Sequence, residues 1–458
     1  MSLLHSPDPR PVHFVGIAGA GMSALAELFV RRGVAVTGCD ANLGEAGDLR
    51  ALGIPLYEGH DPLHVAGSRA LVVTSAMRPD HPELEAARAL GIPIVRRAEA
   101  LGDAVSGGEL VAVAGTHGKT TTTTMTTEAL NAAGLSPTGV AGGRVRAWNG
   151  NLRYGGDRVF VVEADEYDRS FLALAPTVAV VTNVEADHLD IYSDLGDITA
   201  TFEKFLEPAR VVVVCADDAG AAGLRLPQRA ERLDYGLGDG ARLRASDITN
   251  DGGRSGYEAW LDGTPVATVR LSVPGLHNVR NSLAAMAAGI ALGADPTALA
   301  SGLGRFEGVQ RRFEHVGEVR GVTIVDDYAH HPTEVAAALE AARAAFPGRR
   351  VIAAFQPHLY SRTRDFATAF GVELAAADSI FLAEIYPARE NPIEGVSSAM
   401  VADAASQAGR PPAWVGARTD LAESLGAAVR DGDVVLTLGA GDITRTGPEL
   451  LELLRAGK

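Results

Sequence analysis

The sequence contains only two cysteines, Cys39 and Cys215, in a chain of 458 residues. Both lie in apolar, strand-like segments, so we expect no disulfide framework of the kind that holds small secreted domains together. Apolar residues nevertheless make up 47% of the chain, enough for several hydrophobic cores. At roughly 100–200 residues per domain, this length predicts two to four domains, with three as the central estimate.

Long hydrophobic runs and an excess of positive charge are also missing. No apolar run reaches the roughly 18 residues of a membrane-spanning helix. The first residues, "MSLLHSPDPRPVHFVG", lack the basic and apolar regions of a signal peptide. The net charge of −16 argues against nonspecific binding to nucleic acids or anionic membranes. We therefore expect a soluble cytoplasmic protein with no nucleic-acid or membrane partner.

Short β-branched runs alternate with alanine-rich helical stretches, which is typical of βαβ units and predicts parallel α/β sheets. The runs form three groups: "VHFVGI", "VAVTGC", "ALVVTSA" and "IPIV"; "LVAVAG", "RVFVVEAD", "TVAVVTNV" and "RVVVVCA"; "VTIVDDYA", "RVIAAFQPH", "SIFLAEIY" and "DVVLTLGAGD". The segment "LGDAVSGGEL" is typical of a linker, and residues 235–275 favour a small antiparallel appendage. We expect domains at residues 1–107, 108–309 and 310–458.

Unusual polar residues and glycines follow the strands in all three groups. They are Gly16, Asp40 and Ser75, then Gly115, Glu163 and Asn183, then Asp326, His358 and Tyr386. Open α/β sheets bind ligands beyond the carboxyl ends of their strands. The recurrence therefore predicts three domains that line a common cleft.

The stretch "VAVAGTHGKTTTTTM" reads as a buried strand, a glycine turn and a helix. Backbone N–H groups in such a turn converge on phosphate oxygens, and Lys119 and the Thr120 hydroxyl would reach the β/γ-phosphates and Mg²⁺. Val113 stands where the strict motif has its first glycine. The alternative is an ordinary turn with a solvated lysine. The threonine run argues against it, since threonine is a mediocre helix former.

Carboxylates and a histidine follow the next two strands of the same group. In "VFVVEADEYDRSFL", Glu163 ends a strand, and in "VVTNVEADHLDIY", His188 comes soon after one. Because hard cations prefer oxygen ligands, Glu163 is a candidate Mg²⁺ ligand. We expect His188 to take part in metal binding as well. For the neighbouring acids, capping or solvation remains equally open. These acids are Asp165, Glu166 and Asp187.

The N-terminal turn "GIAGAG" is ambiguous when it is considered alone. Its glycines fall at 16, 19 and 21, which is not the dinucleotide spacing. Asp40 follows the second strand, where an NAD enzyme places its ribose-binding acid. This half of the pattern therefore also fits a dehydrogenase. Among the other histidines, His13 is expected to be packed, and solvation is expected for His60, His64 and His81.

Taken together, these residues resemble the Mur ligase family, the ATP-dependent amide-forming enzymes of peptidoglycan precursor synthesis. The resemblance covers almost the whole chain, in ordered motifs that include "HFVGIAGAGMSALAEL", "AGTHGKTTTT", "EADEYDRSFL", "TNVEADHLDIY", "GLHNVRNSLAA", "GVQRRFE", "DDYAHHPTEV", "FQPHLYSRTRDF", "IYPARENP" and "GAGDI". It implies an α/β fold of three domains. These are an N-terminal Rossmann-like UDP-binding domain, a central P-loop ATPase-like domain and a C-terminal Rossmann-like domain.

The resemblance also implies an activity. The lactyl carboxylate of UDP-N-acetylmuramate would attack the γ-phosphate of ATP, and L-alanine would then displace phosphate from the resulting acyl phosphate. ADP and phosphate would be released, and Mg²⁺ would assist. Two glycine turns are then needed because the chain binds two nucleotides, one as substrate and one as fuel. The implied setting is cytoplasmic cell-wall synthesis, with effects on cell shape and division, by a monomer or weak homodimer.

The resemblance further implies site residues. The catalytic set comprises Lys119, Glu163, His188, Arg312 and His330, and Mg²⁺ would be held by Thr120, Glu163 and His188. Arg312 would reach the γ-phosphate when the domains close. The ATP set comprises Gly115, Thr116, His117, Gly118, Lys119, Thr120, Thr121, His277, Asn278, Asn281, Arg312 and Asp327. N-capping is the alternative role for His277 and Asn278.

Two further sets are implied for the other substrates. The UDP-sugar set comprises Gly19, Ala20, Gly21, Met22, Asp40 and Ser75. The amino-acid set comprises Tyr328, His330, His358 and Arg362. A small amino acid offers little apolar area, so an arginine–carboxylate pair would carry much of the selectivity. Pro332 suits the first position of a helix, which makes His331 the expected cap.

Three competing functions remain at this stage. A cell-wall recycling ligase would activate the same carboxylate but attach a whole peptide. A nicotinamide dehydrogenase would use the first turn but leaves Lys119, Glu163 and His188 unexplained. A non-catalytic nucleotide-binding switch would bind ATP without needing a site for a UDP-sugar.

Overall fold

The computed structural model describes residues 3–44, 46–74, 77–189, 191–388 and 390–457. The chain divides into two compact units, each built from α/β layers. The first comprises Met1–Asp247, Tyr257–Val269 and Arg280–Phe306, and the second comprises Ile248–Gly256, Arg270–Val279 and Glu307–Lys458. Within the described ranges, no helix is both long enough and apolar enough to cross a lipid bilayer.

The first sheet is parallel and is formed by the N-terminal strands β1 (Val12–Val15), β2 (Val36–Asp40), β3 (Leu56–Glu58), β4 (Ala70–Val73) and β5 (Ile94–Arg96). Its strand order is β3-β2-β1-β4-β5. The order reverses between β1 and β4, and the reversal creates a crevice next to the turn after β1. The accompanying helices are α1 (Ala20–Arg31), α2 (Gly47–Ala51), α3 (Pro82–Ala89) and α4 (Arg97–Val105).

The second sheet has ten strands in the order β15-β14-β13-β12-β11-β10-β6-β9-β7-β8. The strands are β6 (Glu109–Ala114), β7 (Thr138–Val145), β8 (Gly150–Arg153), β9 (Val159–Glu163), β10 (Val178–Val181), β11 (Val211–Cys215), β12 (Glu231–Gly236), β13 (Leu243–Asp251), β14 (Arg254–Leu261) and β15 (Thr264–Leu271). The helices are α5 (Lys119–Ala132), α6 (Leu195–Leu206), α7 (Ala219–Ala222), α8 (Leu276–Ala291) and α9 (Pro296–Leu303).

The centre of this second sheet is parallel and fully buried. Strands β6, β9, β10 and β11 pair in parallel, and apolar side chains with 0% exposure line β6 and β10. Very short connections join β13 to β14 and β14 to β15. Parallel neighbours need a long crossover, so these three strands form the antiparallel appendage that the sequence predicts.

The third sheet has the order β16-β17-β21-β18-β19-β20 and is parallel except at the β16–β17 pair. Its strands are β16 (Glu314–Val319), β17 (Val322–Asp327), β18 (Val351–Phe355), β19 (Ser379–Ala383), β20 (Trp414–Gly416) and β21 (Val434–Leu438). Its helices are α10 (Pro332–Ala345), α11 (Tyr360–Leu374), α12 (Ala399–Gln407), α13 (Arg418–Ala428) and α14 (Thr446–Arg455). Two apolar clusters, one on each face of the sheet, form the core.

Two local predictions have different outcomes. The segment expected to be a linker is partly helical, because α4 continues to Val105. The buried residues Leu101, Ala104 and Val105 give that helix an apolar face, which the glycines around them concealed in the sequence. In contrast, the predicted cap of α10 is confirmed, since the His331 side chain accepts a hydrogen bond from the Thr333 N–H and Pro332 opens the helix.

Candidate active site

The turn between β6 and α5 presents an open helix N-terminus. Gly118 is the N-cap, with a φ of 80° and no side-chain cap hydrogen bond. Gly115 has a φ of 137°, and a Cβ there would clash with Thr182 Oγ1. The first N–H groups of a helix have no intrahelical acceptor, so the amides that begin α5 form a site for an anion.

The polar segment after β10 holds this turn in place. Thr116 N–H donates to the Asn183 carbonyl at 3.1 Å, and His117 N–H donates to Asn183 Oδ1 at 2.7 Å. The Thr182 hydroxyl and the Asn183 side-chain amide both donate to the His117 carbonyl. The amides of Thr116 and His117 are thus used within the protein, and the amides from Gly118 onward remain for phosphate.

Lys119 is surrounded by oxygen atoms. Its Nζ donates to the carbonyls of Gly115 and Thr116 at 2.7 and 3.1 Å, and it lies 2.9 Å from Glu166 Oε1. Burial alone would lower the pKa of Lys119, but the charge of Glu166 and its hydrogen bond outweigh burial and raise that pKa. The pKa of Glu166 is lowered, because attraction to Lys119 and His188 overcomes the effect of burial. Lys119 therefore carries its positive charge inside a largely buried site.

Glu163 and Thr120 have the spacing of two ligands on one small cation. The Thr120 hydroxyl donates to Glu163 Oε1 at 3.0 Å, and Gly142 N–H donates to Oε2 at 2.5 Å. An octahedral Mg²⁺ with oxygen ligands at 2.0–2.1 Å separates adjacent ligand oxygens by about 3 Å. These two hard oxygen donors therefore fit Mg²⁺. Burial raises the pKa of Glu163, and the pull of Lys119 opposes that rise only in part.

His188 lies beside the Lys119–Glu166 pair. Its Nε2 is 3.5 Å from Glu166 Oε1 and 3.7 Å from Asp187 Oδ2. Burial lowers the pKa of His188, but the hydrogen bond to Glu166 and the charge of Asp187 raise it above its ordinary value. Glu166 and Asp187 are 3% and 6% exposed, so the solvated role considered for them is wrong. The described ion pairs of His188 are thus with Glu166 and Asp187, and its ring meets that of Tyr167 edge-on, with the centroids 5.2 Å apart.

The threonines that follow Lys119 are buried along α5. The hydroxyls of Thr124, Thr126 and Thr127 donate to carbonyls four residues earlier, at 2.7–2.9 Å. Such back-bonding lets a hydroxyl enter an apolar environment without losing its hydrogen bond. The run thus gives α5 narrow side chains that pack on the sheet.

The N-terminal turn also leads into a helix that lacks a side-chain cap, although its N-cap backbone is extended and a different side chain lies beside it. Gly19 is the N-cap of α1, again without a side-chain cap hydrogen bond. A Cβ at Gly21 would lie 2.9 Å from a guanidinium nitrogen of Arg97, so that cation rests on the first turn of the helix. Ala20, Gly21 and Met22 form this turn. Asp40 accepts the amides of Ala18 and Asn42, while Ser75 lies outside the described residues.

The predicted adenine-binding residues lie at the start of α8. The helix begins at Leu276, so His277 and Asn278 lie within its first turn and the capping alternative is wrong. Asn278 donates through its side chain to the Pro274 carbonyl at 2.7 Å. Asn281 is 8% exposed, and a Cβ at Gly118 would lie 2.7 Å from its Oδ1. Asn281 therefore packs directly against the glycine that opens α5.

In the second unit, Asp327 organises the residues after β17. Its two carboxylate oxygens accept the N–H groups of Phe313 and Ala329 at 2.7 and 2.8 Å. The Arg312 guanidinium lies over the Tyr328 ring, 5.2 Å from its centroid, and its NH1 is 3.4 Å from Glu334. Burial raises the pKa of Asp327 to about 6, although Arg312 acts in the opposite direction.

Aromatic rings continue from this point towards β19. The His330 Nδ1 lies 3.0 Å from both the Tyr328 carbonyl and Glu334 Oε2. Its ring centroid is 6.2 Å from that of His358. His358 in turn stacks on Tyr386, and the two residues form an isolated parallel bridge. Arg362, the other predicted residue of this group, is 7% exposed in α11.

Sequence reasoning missed two supporting residues of these sites. The first is Glu166, which pairs with Lys119 across 47 positions. The second is Arg311, which donates to Asp326 at 3.1 Å and to the Gly439 carbonyl at 2.6 Å. The position of Glu166, three residues after Glu163, indicated a possible role at the site. The same position was equally consistent with a helix cap.

Comparison with known proteins decides the family. Three family models match in sequence order: the Mur ligase family catalytic domain at residues 11–108, the Mur ligase middle domain at 113–289 and the Mur ligase glutamate ligase domain at 311–441. The chain belongs to the Mur ligase family. The three-domain α/β fold that the sequence predicts is confirmed by these matches.

Three ligases are similar over nearly the full length. The UDP-N-acetylmuramate–L-alanine ligase of Kineococcus radiotolerans is 48% identical over 97% of this chain and 96% of its own. The structure of the UDP-N-acetylmuramate–alanine ligase of Thermotoga maritima has a TM-score of 0.84 at 29% identity, with 98% and 100% of the two chains covered. A murein peptide ligase from Psychrobacter arcticus has a TM-score of 0.71 at 25% identity, covering 97% and 98%.

Proposed function

We propose that this Mur ligase joins L-alanine to the lactyl carboxylate of UDP-N-acetylmuramate at the expense of ATP, in peptidoglycan precursor synthesis. The observation that carries the choice of substrates is the 48% identity to an L-alanine ligase over 97% of the chain. The open N-terminus of α5 with its buried lysine supports ATP as the energy source.

The first unit supplies the groups that bind phosphates. In this proposal, the amides at the start of α5 and the Lys119 ammonium neutralise the β- and γ-phosphates. The residues suited to Mg²⁺ are Thr120 and Glu163, whose oxygens are 3.0 Å apart, and His188 is a further candidate. Bound Mg²⁺ would supply charge neutralisation at the transferring phosphoryl group. The start of α1, with Arg97 beside it, would bind the diphosphate of the UDP-sugar.

The remaining ATP contacts are assigned to residues of α8 and to Asp327. Asn281 is positioned against Gly118, so it orients the turn that receives phosphate. We assign His277 and Asn278 to the adenosine part of ATP. Asp327 is a candidate ATP contact. It is also a positioning residue, because both of its oxygens accept backbone amides.

The second unit supplies the groups for the amine substrate. We assign Tyr328, His330, His358 and Arg362 to L-alanine, with Arg362 as the partner of its carboxylate. Arg312 is assigned to the charge of the transferring phosphoryl group. Its stacking on Tyr328 holds the guanidinium plane in one orientation, as bidentate contact with phosphate oxygens requires.

The chemistry then proceeds in two steps. The lactyl carboxylate attacks the γ-phosphorus, the bond to the bridging oxygen of ADP breaks, and an acyl phosphate results. The amine of L-alanine attacks the acyl carbon, loses a proton and expels phosphate. Both reacting partners of the first step are anions, so the cationic groups described above lower its barrier by neutralising charge and aligning oxygens.

The test is phosphate release from ATP in the presence of Mg²⁺ and UDP-N-acetylmuramate, with and without L-alanine. We expect release that requires all components and a product heavier by one alanine residue. Release that requires a tripeptide instead of L-alanine would assign the chain to the recycling reaction. The absence of release with either acceptor would contradict the ligase.

A pair of variants tests the metal assignment in the same assay. Glu163→Gln keeps an acceptor for the Gly142 amide but removes the negative charge, so we expect the rate to fall by about 100-fold or more. Glu258→Gln changes an exposed residue of β14 and serves as the matched control. Equal rates for the two variants would remove Glu163 from the Mg²⁺ site.

A further inference from the structure

A cluster of imidazole, thiol and carboxylate groups surrounds Glu83 in the first sheet's domain. Glu83 lies in α3 and is 0% exposed. The Cys39 thiol donates to it, with Sγ at 3.1 and 3.2 Å from its two oxygens. His60 Nδ1 lies 3.3 Å from Oε2, and His64 Nδ1 lies 3.0 Å from Oε1. The solvated environment expected for His64 is therefore wrong, whereas the His60 side chain stays 28% exposed, and none of the substrate assignments above uses this cluster.

Three of these atoms have the spacing of ligands on a single ion. Cys39 Sγ lies 3.4 Å from His60 Nδ1 and 3.2 Å from Glu83 Oε2, and the third side of the triangle, between His60 Nδ1 and Glu83 Oε2, is 3.3 Å. A tetrahedral zinc ion with bonds of about 2.0–2.3 Å places neighbouring ligand atoms about 3.3–3.7 Å apart. The triangle is close to one face of such a tetrahedron.

His13 provides an independent observation. It is 0% exposed, and its Nδ1 lies 2.9 Å from Thr37 Oγ1. Its buried Nε2 has no hydrogen-bond partner among the residues that the structure describes. Ligand atoms of His13, Cys39 and Glu83 all lie within 4.8 Å of one another. When Nδ1 donates to Thr37, the tautomer is fixed with the Nε2 lone pair available, as second-shell contacts do for zinc-binding histidines.

Hydrogen bonding alone leaves part of this cluster unexplained. Glu83 is well supplied with donors, but the buried His13 Nε2 loses its hydrogen bond to water on folding and gains none from the described residues, which destabilises the fold. A cation among the four groups would remove that destabilisation. The His60 side chain is 28% exposed, so an ion can enter from solvent at this point.

We propose that His13, Cys39, His60 and Glu83 bind one zinc ion, with His64 as an outer partner of the Glu83 carboxylate. Nitrogen, sulfur and a single carboxylate favour zinc over Mg²⁺, which prefers oxygen ligands. The ion links β1, β2, the loop after β3 and α3. Cys39 is followed directly by Asp40, whose carboxylate accepts the Ala18 amide, so the ion also fixes the strand end beside the N-terminal turn.

The test uses Co²⁺ as a spectroscopic probe of the metal-free, full-length protein. We expect one equivalent of Co²⁺ to produce a sulfur-to-cobalt charge-transfer band that Zn²⁺ abolishes. Cys39→Ser should lose the band, and Cys215→Ser should keep it, because Cys215 is the other buried cysteine and lies outside the cluster. Glu163→Gln should also keep it, which separates this site from the proposed Mg²⁺ site. No band in the unmodified protein, or a band that survives Cys39→Ser, would overturn the proposal.

A second variant guards against a folding defect in Cys39→Ser. His60→Gln changes a partly exposed side chain, so the fold should tolerate it. We expect it to weaken Zn²⁺ binding by roughly ten-fold or more. Zn²⁺ should raise the midpoint of thermal unfolding of the unmodified protein by more than that of His60→Gln. Equal Zn²⁺ affinities for the two proteins would contradict the assignment of His60 as a ligand.

Discussion

Asp327 shows how one buried carboxylate links packing to pH. Its two oxygens accept the backbone amides of Phe313 and Ala329, which ties the end of β17 to the residues before β16. Burial raises its pKa to about 6 in the folded protein. A carboxyl group with a raised folded-state pKa keeps its proton longer in the folded state than in the unfolded state. The contribution of Asp327 to the free energy of unfolding therefore falls as the pH rises from about 4 to about 6.

The predicted fall in stability with rising pH can be tested with Asp327→Asn, because an asparagine side chain cannot ionise. Between pH 4 and pH 7, the free energy of unfolding of the variant should rise relative to the unmodified protein, by on the order of 2–3 kcal/mol. Urea unfolding of both proteins across this range measures the difference. The variant loses one hydrogen-bond acceptor at every pH. The test is therefore the difference between the two proteins in how the free energy of unfolding changes with pH. Parallel pH profiles would contradict a raised pKa for Asp327.

At the residue scale, local motifs could be predicted and long-range partners could not. Lys119, Thr120 and Glu163 were predicted because their positions follow strand ends and a phosphate-binding turn. The partners of Lys119 and His60 are 47 and 23 positions away, and no spacing rule connects them. The polar, proline-containing loops around His60 and His64 suggested solvent, whereas folding brings these histidines to a fully buried carboxylate.

At the element scale, the N-terminus of α5 depends on a glycine at residue 118. Gly118 has a φ of 80°, and a Cβ there would lie 2.7 Å from Asn281 Oδ1. An alanine would be strained by about 1–2 kcal/mol and would also displace Asn281. We expect Gly118→Ala to raise the KM for ATP by about ten-fold or more, as measured by steady-state phosphate release.

The same helix offers a matched control at its other end. Gly134 follows α5 with a φ of 81°, and a Cβ added there would meet no described atom within 4 Å. Gly134→Ala therefore carries the same backbone strain without the contact to Asn281. It should lower stability to a similar extent and leave the KM for ATP unchanged. A similar KM for both variants would show that backbone strain, rather than the position of Asn281, determines the KM for ATP.

Strands with strong hydrophobic patterns were predicted, and weak ones were missed. The runs that form β6, β10 and β11 are continuous valine-rich segments buried on both faces. Strands β3 and β20 have three residues each, with partly or fully exposed side chains. Their sequences carry no clear period-two signal, so only pairing with a neighbour identifies them. The glycine-rich β7 was missed for the same reason.

At the scale of the whole molecule, the compact units do not coincide with the three sheets. The first unit contains the first sheet and most of the second, and ion pairs join their domains: Arg144 lies 3.2 Å from Asp48, and Arg32 lies 3.3 Å from Asp157. Neither pair follows from local sequence, because the paired residues are 96 and 125 positions apart. The three-domain pattern could be predicted from strand groups, whereas the packing of the first two domains against each other could not. The predicted boundaries at 107 and 310 stay predictions.

Two compact units predict two unfolding transitions. Trp148 and Trp260 lie in the first unit and Trp414 in the second, so fluorescence can follow each separately. The variant with Trp148→Phe and Trp260→Phe retains only Trp414. UDP-N-acetylmuramate at 100 times its Kd should stabilise the first unit by about 2.7 kcal/mol and leave the transition reported by Trp414 unchanged. A single transition seen by all three tryptophans would contradict independent units.

The bracing of the phosphate turn by Thr182 and Asn183 has a consequence for the thermodynamics of nucleotide binding. Four hydrogen bonds fix the turn from Thr116 to His117 before any ligand arrives. The conformational entropy of that turn is therefore lost during folding and is not lost again during association. In the proposed function, ATP would meet a preorganised receptor, in which Lys119 exchanges its contacts with loop carbonyls and Glu166 for phosphate oxygens.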